Sequence, residues 1–338
     1  MRNDTRHQFD AYLSQIAKLS GVTDATKTFA VDPSVQQKLE TRMQESSDFL
    51  SSIGMPGVDE LKGEKVGLTV GSTIAGRTDT SGAGVRVPRD VSDTDKFGFE
   101  CRQTDFDTGI RFAKLDAWAK FPDFQARLRD AILKRQALDR ITIGFNGTSA
   151  AANTDRVANP LLQDVNIGWL QKYRNEAPTR VLKDGKTAGK ILIGTGVDAD
   201  YNNLDALVYD AIANLIAPWH RKDPGLVVIL GSNLVHDKYF PLVNKEQAAS
   251  EKLATDMILA QKRMGGKQPV EVPYVPDGAM LITSLENLAI YWQIGGRRRH
   301  VIENPSKSRI ENFESSNEDY VVEDYGLGCL IENIELEA

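Results

Sequence analysis

The clearest pattern of apolar and polar positions runs from Phe121 to Gly147, FPDFQARLRDAILKRQALDRITIGFNG. Apolar residues recur three or four apart at Phe124, Leu128, Ala131 and Ile132, Leu138, Ile141 and Phe145, which makes one helical stripe. Arg127, Arg129, Asp130, Lys134, Arg135, Asp139 and Arg140 fall mainly off it. Pro122 suits a first helical turn, and Asp123 adds negative charge near the positive end of the helix dipole. Asn146-Gly147 predicts a left-handed cap. A helix of about 20 residues spans roughly 30 Å, the width of a small domain. By spacing alone it is either an ordinary core helix or a spine carrying other elements.

The same periodicity predicts a shorter N-terminal helix through Phe9, Tyr12, Leu13, Ile16 and Leu19, stopped by Gly21. The small polar run GVTDATKTFA then reads as an exposed linker. A second helix begins with Asp32 as N-cap and Pro33 in its first turn, with Val35, Leu39, Met43, Leu50 and Ile53 as its stripe. The chain thus opens with two helices joined by a hinge that looks cleavable. Such a leader packs on the core, works as an arm or is removed, and spacing does not choose among these.

Strand-like alternation follows at Val66, Leu68 and Val70, then a polar stretch around AGRTDTSGAG. Phe97, Phe99 and Cys101 alternate again, and Phe106, Thr108, Ile110 and Phe112 continue on a shifted register. This predicts a long two-stranded excursion with a polar tip. A loop of that length is usually functional or mobile, and this one buries too little of itself to stand without another chain. Leu115 to Lys120 leads into the long helix.

Beyond the long helix, TSAANTDRVANP is loop-like, Leu161 to Tyr173 holds a short helix with Trp169, and residues 182–200 read as a hairpin or loop. Helices are predicted over Leu204–Trp219, Leu234–Val243 and Leu253–Met264. Leu226–Leu230 reads as a buried strand, and Val270–Val275, Ala279–Thr283 and Leu288–Trp292 as further strands. One sheet flanked by helices fits 204–294 as a second domain. The tail from Arg297 to Ala338 alternates apolar clusters with acids, as long strands joined by a polar turn at NPSKS.

Composition narrows the function class. The 338 residues suffice for a sizeable core and two or three domains, and 41% hydrophobic with 26% charged residues is ordinary for a soluble chain. No run approaches the roughly 20 apolar residues of a membrane span, and the charged N-terminus lacks a signal-peptide core. The protein is therefore expected to be made and kept in a cytoplasm. Cys101 and Cys329 match no metal or redox spacing and read as buried thiols. A formal net charge of −6 argues against wrapping nucleic acid.

Candidate chemistry is sparse. GKTAGK at 185–190 is one residue short of a phosphate loop and is followed by Ile191 in place of Ser or Thr, so a polar turn is the better reading. His7, His220, His236 and His300 show no ligand spacing. No carboxylate pair is marked as acid and base. The dense basic cluster Arg297, Arg298, Arg299 and His300 lies near an acid-rich stretch with Glu311, Glu314, Glu318, Asp319, Glu323 and Asp324. On separate surfaces these would pair across contacts between identical chains, where charge sets partner choice and register. A solvated face is an equally good reading of any one of them. An arm, an excursion, a spine helix and no evident active site together suit a subunit that contacts copies of itself.

Long runs of the chain resemble one family. VDPSVQQKLETRMQESSDFL, RDAILKRQALDRITIGFNG, NPLLQDVNIGWLQKYRNEAP, LDALVYDAIANLIAPW, DKYFPLVNKE, VPYVPDGAMLITSLENLAIYWQ and NEDYVVEDYGLGCL are similar, in order, to the major capsid protein of P-two-like tailed bacteriophages (peduoviruses). The similarity spans nearly the whole chain and is weakest over 71–96 and 182–200. It implies an α+β, Hong Kong 97-type phage capsid fold with an N-arm, an extended β-hairpin loop, a peripheral domain carrying the spine helix, and an axial domain. On this chain, residues 1–30 would be a scaffold-facing segment removed by proteolysis and 31–59 the N-arm. Residues 60–112 would be the extended loop and return strand, 113–203 with part of 297–338 the peripheral domain, and 204–296 the axial domain.

The resemblance also implies a function: a shell subunit of a tailed double-stranded DNA phage, forming hexamers and pentamers of an icosahedral procapsid that matures around its genome. Its implied partners are copies of itself, an internal scaffold-protease, a portal protein at one vertex, and packaged DNA enclosed without sequence-specific binding. No catalytic residue, cofactor, metal or membrane is implied. By similarity the protease cut falls near Phe29 and Ala30. Arg77 and Asp79 at the loop tip, with Arg297, Arg298 and Arg299, are candidate assembly contacts. Assembly would occur in the bacterial cytoplasm and end in the virion capsid. Two alternatives stand beside this reading. An encapsulin-like nanocompartment shell shares the fold, but a cleavable leader speaks against it. A two-domain cytosolic enzyme would need a pocket of convergent carboxylates or histidines.

Overall fold

The computed structural model of the chain describes residues 1–65, 75–87, 97–118, 121, 124–235 and 263–337. The strand expected at Val66–Val70, most of the helix over 234–243, nearly all of that over 253–264, Pro122, Asp123 and the side chain of Phe124 lie outside these residues.

The leader forms helix α1 (Asn3–Leu19), with Asp4 in its first turn and Lys18 in its last to complement the dipole. The linker after it is only partly exposed. Ala25 and Phe29 are buried, and Phe29–Ala30 forms a two-residue strand, β1. Helix α2 (Pro33–Glu45) starts on Asp32, whose side chain accepts from the Ser34 amide. The single second helix expected from the stripe is in fact two, because α3 (Asp48–Ser52) follows a break at Ser46-Ser47. There the Ser46 hydroxyl donates to the Met43 carbonyl at 2.7 Å, the local bond with which serine competes against a continuing helix.

Short strands β2 (Gly57–Val58) and β3 (Lys62–Gly63) lead toward the excursion. Strand β4 (Phe99–Glu100) returns to pair with β3, followed by β5 (Arg102–Asp105) and β6 (Thr108–Arg111). Helix α4 (Phe112–Trp118) precedes the spine helix α5 (Phe124–Asn146). The first half of α5 is amphipathic, but residues 140–147 are buried all round.

Helix α6 (Trp169–Glu176) crosses the end of α5 at very close range. A methyl group on Gly144 would lie 2.2 Å from the Trp169 ring, and one on Gly147 would lie 2.1 Å from the Asn166 carbonyl oxygen. Gly147 does not adopt the left-handed conformation expected of a cap. Glycine is required there by the approach of a second backbone.

The remaining elements are β7 (Val181–Leu182), β8 (Ile191–Ile193), α7 (Leu204–Leu215), β9 (Leu226–Leu230), β10 (Gln268–Glu271) and β11 (Met280–Ser284). Then come β12 (Leu288–Gln293), β13 (Arg298–Asn304), β14 (Arg309–Val322), β15 (Cys329–Ile331) and β16 (Ile334–Leu336). A seven-stranded sheet is built around β14, which pairs with β12, β13, β5 and β6. Strand β1 covers the free edge of β13, and β2 that of β12. The second sheet has the order β10-β9-β11-β15-β7, and β8 pairs with β16 apart from it.

The strands therefore divide differently from the single sheet expected over 204–294. β12 leaves for the first sheet, and β15 and β7 complete the second. Asn287 fixes this switch. Its amide group donates to the Thr283 hydroxyl and the Asp324 carbonyl, and its oxygen accepts from the Asp324 amide at 2.8 Å. These bonds turn the chain out of β11 before it can fold back on it as a hairpin.

Burial follows the strand alternation. On β9, Ile229 faces the core shared with α5 and α6, while Val228 and Leu230 face α7. A third cluster joins the leader (Phe9, Ile16, Ala25, Phe29) to Leu115, Leu128, Val301 and Ile310. The first half of the spine helix is thus held by the β13–β14 hairpin and by the leader together.

Gly144→Ala is expected to cost about 1–3 kcal/mol by forcing α5 and Trp169 apart, and Leu128→Ala about 2–5 kcal/mol. Urea denaturation of both variants checks this; unchanged midpoints would remove the packing role assigned to each position.

Candidate assembly site

The basic cluster does not form one surface. Arg297 is 1% exposed and lies wholly inside the fold, Arg298 is exposed, and Arg299 is half-buried. Arg299 donates to Asn312 and to the Tyr12 hydroxyl of the leader. Arg297 is therefore withdrawn as an exposed contact, and Arg299 is engaged within the chain. Alternation turns Arg298 to the face opposite Arg297 and Arg299, both of which lie on the side of Glu314.

Arg297 belongs to a buried ionic cluster. Its Nη1 lies 2.7 Å from Glu40 Oε1 of α2, and its Nη2 lies 2.6 Å from Glu314 Oε1 of β14. It also donates to Gln136 of α5 at 3.0 Å. Arg140, which the stripe placed off the buried face, is 0% exposed. Its Nη1 lies 2.5 Å from Glu40 Oε2 and its Nη2 2.5 Å from Glu318 Oε1. Two guanidiniums thus hold three carboxylates between α2, α5 and the hairpin. Burial alone would raise the Glu40 carboxyl, but Arg140 and Arg297 outweigh it and hold the group below its ordinary value. For Glu314 burial acts in the same upward sense, and Arg297 and Arg299 overcome it, pushing the carboxyl down to about 2.

The other acids of the tail are also engaged within the chain. Lys172 Nζ lies 2.8 Å from Asp319, His220 Nε2 3.1 Å from Asp324, and Arg309 Nη2 2.5 Å from Glu311. Glu323 accepts from the Tyr291 hydroxyl at 2.7 Å. The complementarity of basic cluster and acidic tail is largely intramolecular. A spacing signal for it exists: Leu133, Ala137, Arg140 and Gly144 share one helical face, and Glu314 and Glu318 alternate with Ile310 and Tyr320 on the inward face of β14.

The other candidates fall in three settings. Phe29 and Ala30 sit on β13 opposite Arg299 and Arg298. Arg77 and Asp79 are exposed, and Asp79 accepts from the Ser81 amide at 2.9 Å, closing a small turn. Val85 and Val87 beside them are 76% and 80% exposed. The 185–190 turn points its amides at its own carboxylates: Lys186 N–H donates to Asp200 and Gly189 N–H to Asp184. Cys101 and Cys329 are buried, and burial pushes both thiols up to about 12. The convergent carboxylates Glu40, Glu314 and Glu318 are closed to solvent and held by arginines. Among the described residues no helix is long and apolar enough to cross a membrane.

Comparison with known proteins agrees with this architecture. The family described as phage major capsid protein, P2 family, matches residues 8–334. The chain is 53% identical to the capsid protein of Escherichia phage P2, covering 99% of this chain and 96% of that one. It is 42% identical to the major capsid protein of Serratia phage KSP20, covering 99% and 97%. A chain of the satellite phage P4 procapsid including size determination (Sid) protein is similar with 52% identity and a TM-score of 0.83, covering 100% of this chain and 99% of that one. The fold is the α+β Hong Kong 97-type fold, and the class it defines is a capsid protein that associates with its own copies. Within that class, the chain belongs to the P2 family of phage major capsid proteins, which form the virion shell.

Arg140→Leu should cost about 3–5 kcal/mol, because Glu40 and Glu318 would remain buried without it. Arg298→Ala should stay within about 0.5 kcal/mol of the parent. Equal effects in denaturant titrations would contradict the division between buried and exposed arginines. Glu314 titrates lower folded than unfolded, so its stabilisation is complete above the unfolded value of 4.5 and fades as pH falls toward about 2. Stability measured across the acid range should fall more steeply for the parent than for Glu314→Gln.

Proposed function

We propose that this chain closes into an icosahedral procapsid as hexamers and pentamers, and that a scaffold-protease then removes residues 1–30. The observation that carries this reading is the similarity of the whole chain, leader included, to a chain of a procapsid. A closed shell needs interfaces that complete rings and do not run on as filaments. In this reading the seven-stranded sheet with α5 is the peripheral domain, and the five-stranded sheet with α7 is the axial domain. The N-arm over 31–59 and the loop over 60–112 are the reaching elements. Arg77, Asp79 and Arg298 remain the exposed charges proposed to meet neighbouring copies. The cut is placed near Phe29 and Ala30, at the junction between the leader layer and Asp32, where α2 starts. A portal protein at one vertex and enclosed double-stranded DNA complete the proposed particle.

Negative-stain electron microscopy of the chain co-expressed with and without the scaffold-protease tests this. Closed shells are expected only with it, and mass spectrometry should find a chain that begins at or beside Val31. Soluble monomers or dimers in both cases would overturn the assembly reading. Deleting Arg77 to Val85 should leave a folded subunit that makes no shells; normal shells from that deletion would exclude the tip as a contact.

A further inference from the structure

We propose that the groove holding residues 1–30 is a peptide-binding site that keeps this leader on the subunit after the chain is cut beside Ala30. The proposal rests on the processing reading above. Its occupant is the severed leader itself, an amphipathic helix followed by a short extended segment.

The contacts of the leader do not run through the bond that would be cut. Phe9, Ile16, Ala25 and Phe29 are buried against Leu115, Leu128, Val301 and Ile310. The fit leaves a cavity of about 20 Å³, room for about one water molecule. Polar anchors surround this apolar seat. The Arg2 amide and the Thr5 hydroxyl both donate to Asp116 Oδ1, at 2.9 and 2.6 Å. Arg6 Nη2 lies 2.9 Å from Glu303 Oε1, and Arg299 donates to the Tyr12 hydroxyl at 2.9 Å. On the strand edge, the Val301 amide donates to the Ala25 carbonyl at 3.2 Å, and β1 pairs with Arg298 and Arg299.

Two recognition modes are therefore combined, a helix laid in a groove and an added strand on an exposed edge. Cutting the chain removes only the tether, whose contribution is a high effective concentration. The seat and anchors persist. The edge of β13 thus stays covered after the cut and becomes free for other contacts only when the leader departs.

The test uses the full chain with a recognition sequence for a site-specific protease inserted between Ala30 and Val31. After cleavage at micromolar concentration, size-exclusion chromatography with mass spectrometry follows the fragment. Co-elution with the body is expected. Phe9→Ala with Phe29→Ala should weaken retention by roughly a hundredfold or more and shed the fragment. Arg6→Glu, placed at the surface against Glu303, should weaken retention in a way that added salt partly restores. A parent fragment that elutes free overturns the proposal, whether the body stays folded or aggregates. Retention indifferent to all these substitutions overturns it too, since adhesion would then not depend on the groove. Because the cut is engineered, either result is independent of where a scaffold-protease acts. A natural cut elsewhere would overturn the processing reading alone.

Discussion

The way α2, α5 and the β13–β14 hairpin meet depends on the charge cluster of Glu40, Arg140, Arg297, Glu314 and Glu318. Taking ions from water is unfavourable by several kcal/mol each, and their mutual attraction compensates only when geometry and hydrogen bonding are complete. Completion here requires α2, α5 and both strands of the hairpin to arrive together. The cluster therefore acts less as glue than as a registry device. A slip of one residue along β14 would turn Glu314 and Glu318 to the opposite face and leave two buried guanidiniums with Glu40 as their one shared carboxylate. It also explains how α2, with its modest apolar content, is fastened, since Glu40 is its charged anchor.

Much of the fold was legible because apolar spacing reports burial directly. The spine helix, the helix at 204–215 and the strand at 226–230 all lie where period 3.6 or a continuous apolar run placed them. Legibility failed where burial is polar. Arg140 falls off the apolar stripe, and nothing local says that two distant acids neutralise it. Arg297 is hidden for the same reason: its partners lie on α2, α5 and β14. Sheet membership is non-local as well. Which sheet β12 joins is settled by Asn287 bonding to Asp324, a contact that no window around either residue contains. At the candidate site, the exposed tip was readable from composition, whereas the docking of Phe29 on β13 was not, since GVTDATKTFA has the composition of a linker.

The subunit joins a rigid interior to elements that reach away from it. Its buried arginines and glutamates are satisfied within the chain, so they are not available to bind copies. What the chain presents outward is then shape, edge backbone and the charges that lie on its surface. That division suits assembly, because weak and specific contacts allow a misplaced subunit to leave before a shell closes around it.

Strand β14 gives this arrangement an order in time. It pairs with four other strands, and beyond it β15 enters the five-stranded sheet and β16 pairs with β8. The last forty or so residues therefore close every major layer, in the way a keystone closes an arch. Until residues 309–331 are in place, the first sheet lacks its central strand and the second lacks β15, although β9, β10 and β11 can already pair. A chain broken off before β14 would leave α2, α5 and β12 without the strand that joins them, so the fold is committed late.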